Sequence, residues 1–257
     1  MGCLLLMIVL GATASTHAHA DPPAAPRASL DDTVQSILSL SWLLNGSLTK
    51  EQIRKALGRK EGGFWLQDVK AAGAGLNMKL HYQKLTLEAL RQRGGPALLG
   101  LRGPDQMFAL AAVGPQNSII YDAGRTEIVA NAVLEKRFSG EAVFLDNATG
   151  TWPQLQVEDP VRVVQVRDDE PEQAVKVDVS NRGSEPLEVG IEAISCGCTG
   201  GDYATQTLAG RGNTVLDFAV SAQGDRTVIV TLRSSDPLWP RVMMAFQIEK
   251  VSGNPPL

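Results

Sequence analysis

Helical spacing of apolar residues occurs only in the first part of this 257-residue chain; beyond Pro160 every apolar run has the length and chemistry of a strand. Helices first and then strands alone is the order of an α+β protein whose C-terminal part is all-β. The first helix is expected from Ser29. Its hydroxyl suits a cap, Asp31 and Asp32 suit the positive helix start, and Leu30, Val34, Ile37, Leu38, Ser41 and Trp42 share one face. Asn45-Gly46 supplies a left-handed stop. Thr49 with Gln52 forms a capping box for a second helix, with Ile53, Ala56 and Leu57 on its inner face. A third helical stretch is expected over Phe64–Ala74.

The period then shortens. Residues 76–82 alternate as a strand, Leu85–Gln92 reads as a short helix, and Pro96–Leu101 is an apolar strand. Met107–Val113 and Ser118–Asp122, joined by Gly114-Pro115-Gln116-Asn117, form a hairpin. A small helix over Val133–Phe138 precedes the strand Glu141–Leu145. Residues 147–160 are polar and punctuated by proline and glycine, which marks a linker. Six short β-rich runs follow: 161–166, 174–179, 187–194, 214–220, 227–233 and 242–248. The turn clusters between them include Asn181-Arg182-Gly183 and Ser234–Pro240. Strands of that length and spacing predict an immunoglobulin-like sandwich over 161–250.

Composition is that of a soluble globular chain, 44% hydrophobic and 20% charged with a formal net charge of −4. No basic stripe asks for nucleic acid. Arg27–Asp146 carries about +3 and Glu158–Glu249 about −7, a split too weak to name a partner. The first twenty residues contain no charged side chain. Leu4–Leu10 is an apolar core followed by small residues and Ala18-His19-Ala20, a secretory leader with an Ala-x-Ala cleavage site. The run is too short to span a bilayer, which needs about 20 apolar residues. A signal peptide over 1–20 removes Cys3, His17 and His19 and places the mature chain in the periplasm or outside the cell, with no stable membrane span. What remains is Cys196 and Cys198, in Cys-Gly-Cys, and a single histidine, His81. A cysteine peptidase needs a thiol with an imidazole in reach. A zinc hydrolase usually needs two or three imidazole, thiolate or carboxylate ligands on an open site; one histidine and one Cys-x-Cys pair leave little room for that, and no cofactor is expected.

The order of elements in 27–146 resembles the double-glycine leader peptidases, papain-like cysteine peptidase domains often joined to bacteriocin exporters. The residues that carry the resemblance are the first helix ending at Asn45-Gly46, the Leu48-Thr49 start of the second, and Gly62-Gly63-Phe64-Trp65-Leu66 running into Ala71–Leu76. Leu85–Leu90, the Gly95–Leu99 strand, and the hairpin ending Ile120-Tyr121-Asp122-Ala123 complete it. The resemblance implies a papain-like fold and a catalytic slot, and this sequence departs from it there. Counting back from Gly46, the family's nucleophilic cysteine falls on Thr33. Its general-base histidine falls on Gln106 or Met107, and its orienting aspartate on Asp122. The glutamine of the oxyanion hole has no counterpart near Arg27. The resemblance therefore implies a pseudo-peptidase, whose remaining cleft would hold a peptide or protein partner without cutting it.

The C-terminal part resembles a bacterial immunoglobulin-like family of uncharacterised function, related to abnormal-spindle and hydin-type modules. Val177–Leu187, Ser195-Cys196-Gly197-Cys198-Thr199, Leu208-Ala209-Gly210 and Thr231–Pro237 carry it. Cys196 and Cys198 are open to several roles: structural thiols, a local bridge, a redox pair, a soft-metal contact or intermolecular pairing. On a regular strand their Cα atoms would lie roughly 6.5–7 Å apart, at the limit for an unstrained disulfide. Two further readings of the whole chain stand beside the pseudo-peptidase: an active peptidase of the same family with other catalytic residues, and a redox or metal-handling module built on Cys196 and Cys198. His81, between Leu80 and Tyr82, is expected on a strand surface. Thr33 has an alternative role as a capping hydroxyl, and Asp122 one in turn chemistry.

Overall fold

The computed structural model describes residues 28–102, 107–122, 124–145, 151–167, 172–195, 199–200, 204–221 and 227–251. Residues 1–20, expected as a leader, and Gln106, Cys196 and Cys198 lie outside the described residues.

Helix α1 (Leu30–Leu43) begins as its sequence dictates: the Ser29 hydroxyl accepts the Asp32 N–H at 3.2 Å. It ends with Asn45 left-handed at φ 55° and the Gly46 N–H on the Ser41 carbonyl at 2.7 Å. Any Cβ on Gly46 would sit 2.6 Å from Ser41 Oγ, so the two residues divide the stop between them: asparagine takes the left-handed turn and glycine the close approach. Helix α2 (Lys50–Leu57) carries the complete Thr49/Gln52 capping box. Helix α3 (Leu66–Ala72) starts two residues later than its pattern suggests, because Phe64 forms a β-bridge with Ala28 and the Asp68 carboxylate accepts the Trp65 N–H. Residues 73–76 then tighten into a 3-10 turn that stops at left-handed Asn77, which delays the next strand.

That strand, β1 (Leu80–Lys84), is followed by α4 (Leu87–Arg93), β2 (Ala97–Leu101), β3 (Met107–Val113), β4 (Asn117–Asp122), β5 (Arg125–Ala130), α5 (Asn131–Arg137) and β6 (Phe138–Leu145). They form an antiparallel sheet in the order β1-β6-β2-β3-β4-β5. Helix α1 covers one face, with Val34, Ile37 and Leu40 against Leu98, Ala109 and Ala111. On the other face Leu87 and Leu90 of α4 and Leu134 of α5 pack with Leu99, Phe108, Leu110 and Phe144. Every residue of β3 is buried, which is why it reads as an unbroken apolar run and not as an alternating one.

The C-terminal part forms two further sheets. One has the order β12-β10-β14-β15-β8, from Gln206–Leu208, Leu187–Ile194, Thr227–Ser234, Arg241–Val251 and Val161–Arg167. The other has the order β11-β13-β9-β7, from Thr199–Gly200, Asn213–Ser221, Glu172–Asn181 and Leu155–Val157. All pairs are antiparallel except β8 with β15. The sheets face one another across a shared core in which the rings of Phe218 and Phe246 lie 5.5 Å apart. One expectation is corrected here. The stretch 147–160, read as a linker, contributes strand β7, because Leu155 and Val157 alternate with Gln156 and bury in the core while the strand pairs with β9.

The two parts also pack tightly on each other. Arg241 donates to the Trp42 carbonyl at 2.8 Å, and its guanidinium lies 4.7 Å above the Trp42 ring, which stacks on Tyr121. Asn117 reaches Gln247 at 3.3 Å. Trp239 lies so close to the turn after α4 that a Cβ on Gly94, whose φ is +70°, would be 3.2 Å from its ring.

Candidate functional site

The slot that the N-terminal resemblance assigns to a nucleophile lies where α1 crosses the start of β3. Ser36, one turn into the helix from Thr33, donates to the Met107 carbonyl at 2.6 Å and fixes that crossing. Thr33 itself is fully buried, and its hydroxyl donates to the Ser29 carbonyl at 2.7 Å. That is the internal bond a threonine makes in a helix start; the oxygen is neither exposed to a substrate nor paired with a base. Gln106 is outside the described residues, and Met107, the alternative position for the base, is a buried strand residue with no group that takes up a proton. Asp122 ends β4 and is exposed, opposite Arg125 across the tight turn to β5.

His81 does not enter this slot. It is exposed on β1, with its ring 5.5 Å from that of Phe144. In the sheet order β1 lies three strands from β3, about 14 Å at the usual strand spacing. Thr33 at the nucleophile's position, Asp122 at the orienter's and His81 are thus held on separate elements. Cys196 and Cys198 lie outside the described residues, as stated.

A second concavity, of about 470 Å³, opens where the two parts meet. The end of α4 forms one wall and strand β7 the other, and Arg91, Arg93, Glu158, Asp236 and Trp239 supply its polar groups. Glu88 and Arg91 neutralise each other through two bonds at 2.8 and 2.9 Å, and those bonds, with one from Gln92, hold the Glu88 carboxyl below its ordinary pKa. Arg93 is buried. It donates to the carbonyls of Gly94 and Leu145 and lies 4.0 Å over the Phe144 ring. Burial pulls its guanidinium down to about 10, while the charge of Asp236 works the other way. It stays a cation at neutral pH.

Asp236 is the opposite pole. Its Oδ2 accepts the Leu155 N–H and its Oδ1 the Leu238 N–H, both at 2.8 Å. Burial raises its pKa; the main-chain N–H groups of Leu155, Leu238 and Trp239, and Arg93, pull in the other direction. The Leu238 bond is an Asx turn, which the Asp236-Pro237 sequence signals locally. The bond to Leu155, 81 residues away, has no local signal, and the whole Ser234–Pro240 segment reads as plain turn chemistry. Trp239 carries no signal either, being one of four dispersed tryptophans.

Among solved structures the chain is similar to the peptidase domain of Streptococcus ComA, a bi-functional ABC transporter involved in quorum sensing: 13% identity and a TM-score of 0.40, over 47% of this chain and 95% of that one. It is also similar to the N-terminal peptidase C39-like domain of a toxin secretion ATP-binding protein from Vibrio parahaemolyticus, at 15% identity and a TM-score of 0.38, over 46% and 96%. The ASH/PapD-like domain of human CEP192 matches at 9% identity and a TM-score of 0.31, over 44% and 95%. No family model matches the sequence, and no curated protein matches it. No helix among the described residues is long and apolar enough to cross a membrane.

Proposed function

We propose that this chain is an exported pseudo-peptidase: a degenerate papain-like domain over 27–146, joined to an immunoglobulin-like sandwich, that holds a peptide or protein partner without cleaving it. Thr33 carries the reading. At the position that the resemblance gives to the nucleophile stands a hydroxyl that is fully buried and spent on the Ser29 carbonyl. A thiol peptidase needs a reactive thiolate and an imidazole beside it; residues 27–146 contain no cysteine, and their one histidine, His81, lies three strands from β3. The fold outlasts the loss of its nucleophile because it rests on the packing of α1 against β2 and β3.

The test uses the purified mature chain with a peptide that ends in a double-glycine site. Binding without turnover is expected, with Asp122→Ala unchanged in both respects. Thr33→Cys combined with Gln106→His, which the resemblance alone would expect to restore slow turnover, is expected to stay inactive, since position 33 is fully buried. Cleavage that disappears on alkylating Cys196 and Cys198, or in Asp122→Ala, overturns the reading. Export is tested separately by intact-mass analysis of the native protein. The short apolar core and the small residues at Ala18 and Ala20 predict a mature chain starting at Asp21; a chain still carrying Met1 counts against it.

A further inference from the structure

Among the described residues strand β7 is the end strand of its sheet, paired with β9 alone. The register settles which of its main-chain groups are used. Gln154 accepts the Arg182 N–H and Glu158 donates to the Asp178 carbonyl, so in this antiparallel pair residues 154, 156 and 158 turn toward β9. The main-chain groups of Leu155 and Val157 turn the other way, and both residues line the junction cleft while their side chains stay in the core. The Leu155 N–H on that side is taken by the Asp236 carboxylate at 2.8 Å. The Leu155 carbonyl and both main-chain groups of Val157 face no strand among the described residues.

The same cleft holds a second unsatisfied group. Trp239 is only 5% exposed, and its Nε1–H finds no hydrogen-bond partner among the described residues. A buried indole N–H without an acceptor is costly, and indole is a donor only. The cleft is therefore lined by one free main-chain donor and two acceptors at strand spacing, with the closed-in indole of Trp239 in its wall. Its charged residues balance, with Arg91, Arg93 and Arg182 against Glu88, Glu158 and Asp236. That balance matches a ligand recognised through neutral amide groups, not an ion. Its volume of about 470 Å³ falls in the range of ligand sites, about 300–1,000 Å³.

We propose that the free edge of β7 takes an extended peptide segment of a partner as an added strand, with the Trp239 indole N–H donating to one of its carbonyl oxygens. The inference rests on the peptide-binding reading above and moves the binding site away from the degenerate catalytic slot. Asp236 sets the register: by capping the Leu155 N–H it ends the ladder there, so that pairing begins at the Leu155 carbonyl and runs through Val157. Recognition by main-chain bonds tolerates many sequences, with side-chain preference arising only where alternate residues meet the walls.

The test titrates the full mature chain, with 15N-labelled tryptophan, with the pentapeptide acetyl-Val-Thr-Val-Thr-Val-amide. The Trp239 indole resonance, assigned through Trp239→Phe, is expected to shift with saturation. Val157→Pro removes an N–H that makes no bond within the sheet and is expected to weaken binding roughly tenfold. Trp239→Phe keeps a ring, loses the donor, and is expected to weaken it about fivefold. Binding that leaves the Trp239 resonance in place and is indifferent to both substitutions overturns the inference and leaves the peptide-binding reading intact. Absence of binding at millimolar pentapeptide also overturns the inference, while the peptide-binding reading stands or falls with the double-glycine peptide.

Discussion

Asn181→Ala is expected to destabilise the protein by about 4 kcal/mol or more, a large part of the 5–15 kcal/mol that holds a typical domain together. Asn181 is 1% exposed at the end of β9, and it uses all of its amide. Its Oδ1 accepts the N–H groups of Gln154 and Gly183, at 3.1 and 3.0 Å. Its Nδ2 donates to the carbonyls of Glu185 and Ala209, at 2.7 and 3.1 Å, with Leu208 at 3.4 Å. One side chain thus joins the entry to β7, the turn after β9 and the turn before β13. Alanine leaves two N–H groups and two carbonyls without partners where water has poor access, and each buried orphan costs about 1–3 kcal/mol. The space is tight as well: a Cβ on Gly183 would fall on the Trp152 carbonyl, so the turn has no room to collapse around a smaller residue. Urea unfolding checks the expectation, with exposed Arg182→Ala as a control that should change stability by less than about 0.5 kcal/mol. A loss below about 1 kcal/mol in Asn181→Ala means that water replaces the network.

Asn181 shows why part of this fold is legible in the sequence and part is not. Helix ends are local. Ser29, Thr49 and the Asn45-Gly46 stop satisfy main-chain groups within five residues of themselves, so the residue types alone announce them. The long strands are legible because their apolar runs persist on at least one face. β5 escapes because it is an edge strand whose segment Arg125–Ala130 buries only Val129. β7 escapes for a different reason. It has three residues after Pro153, and it is held by Asn181 and Asp236, which are distant in sequence and look like ordinary turn formers. The slot around Thr33 was legible as an order of elements and as a set of missing residue types. That its hydroxyl is sealed inside depends on how closely α1 lies on β3, which no spacing reveals. The junction cleft depends on packing between distant segments throughout. Arg93, Asp236 and Trp239 each have an innocuous local role, and only the folded chain brings them together.

Asp236→Ala is expected to cost about 3 kcal/mol or more, with a pH dependence that separates burial from hydrogen bonding. The carboxylate closes the turn between β14 and β15 through Leu238 and ties that turn to β7 through Leu155, so it links the two sheets at the cleft. Alanine frees both N–H groups. Asp236→Asn keeps one acceptor oxygen and turns an NH₂ toward a donor, so it is expected to lose somewhat less. Burial is the dominant influence on Asp236 and raises its pKa in the folded state above the ordinary 3.8, so over that interval the folded chain binds the proton more tightly than the unfolded one. Its contribution is therefore fully present below pH 3.8 and lost as the pH rises through the raised folded value. Because the asparagine variant does not titrate at this position, the stability difference between wild type and Asp236→Asn should be widest in acid, narrow through that window and stay constant above it. A difference that grows with pH instead would mean that the main-chain N–H groups and Arg93 outweigh desolvation, and that the carboxylate is held as a stabilised anion. The two outcomes bear on the cleft differently. A carboxyl poised to take up a proton loosens its hold on the Leu155 N–H on acidification and frees one more edge position of β7, whereas a stabilised anion keeps the register fixed at every pH at which the protein is folded.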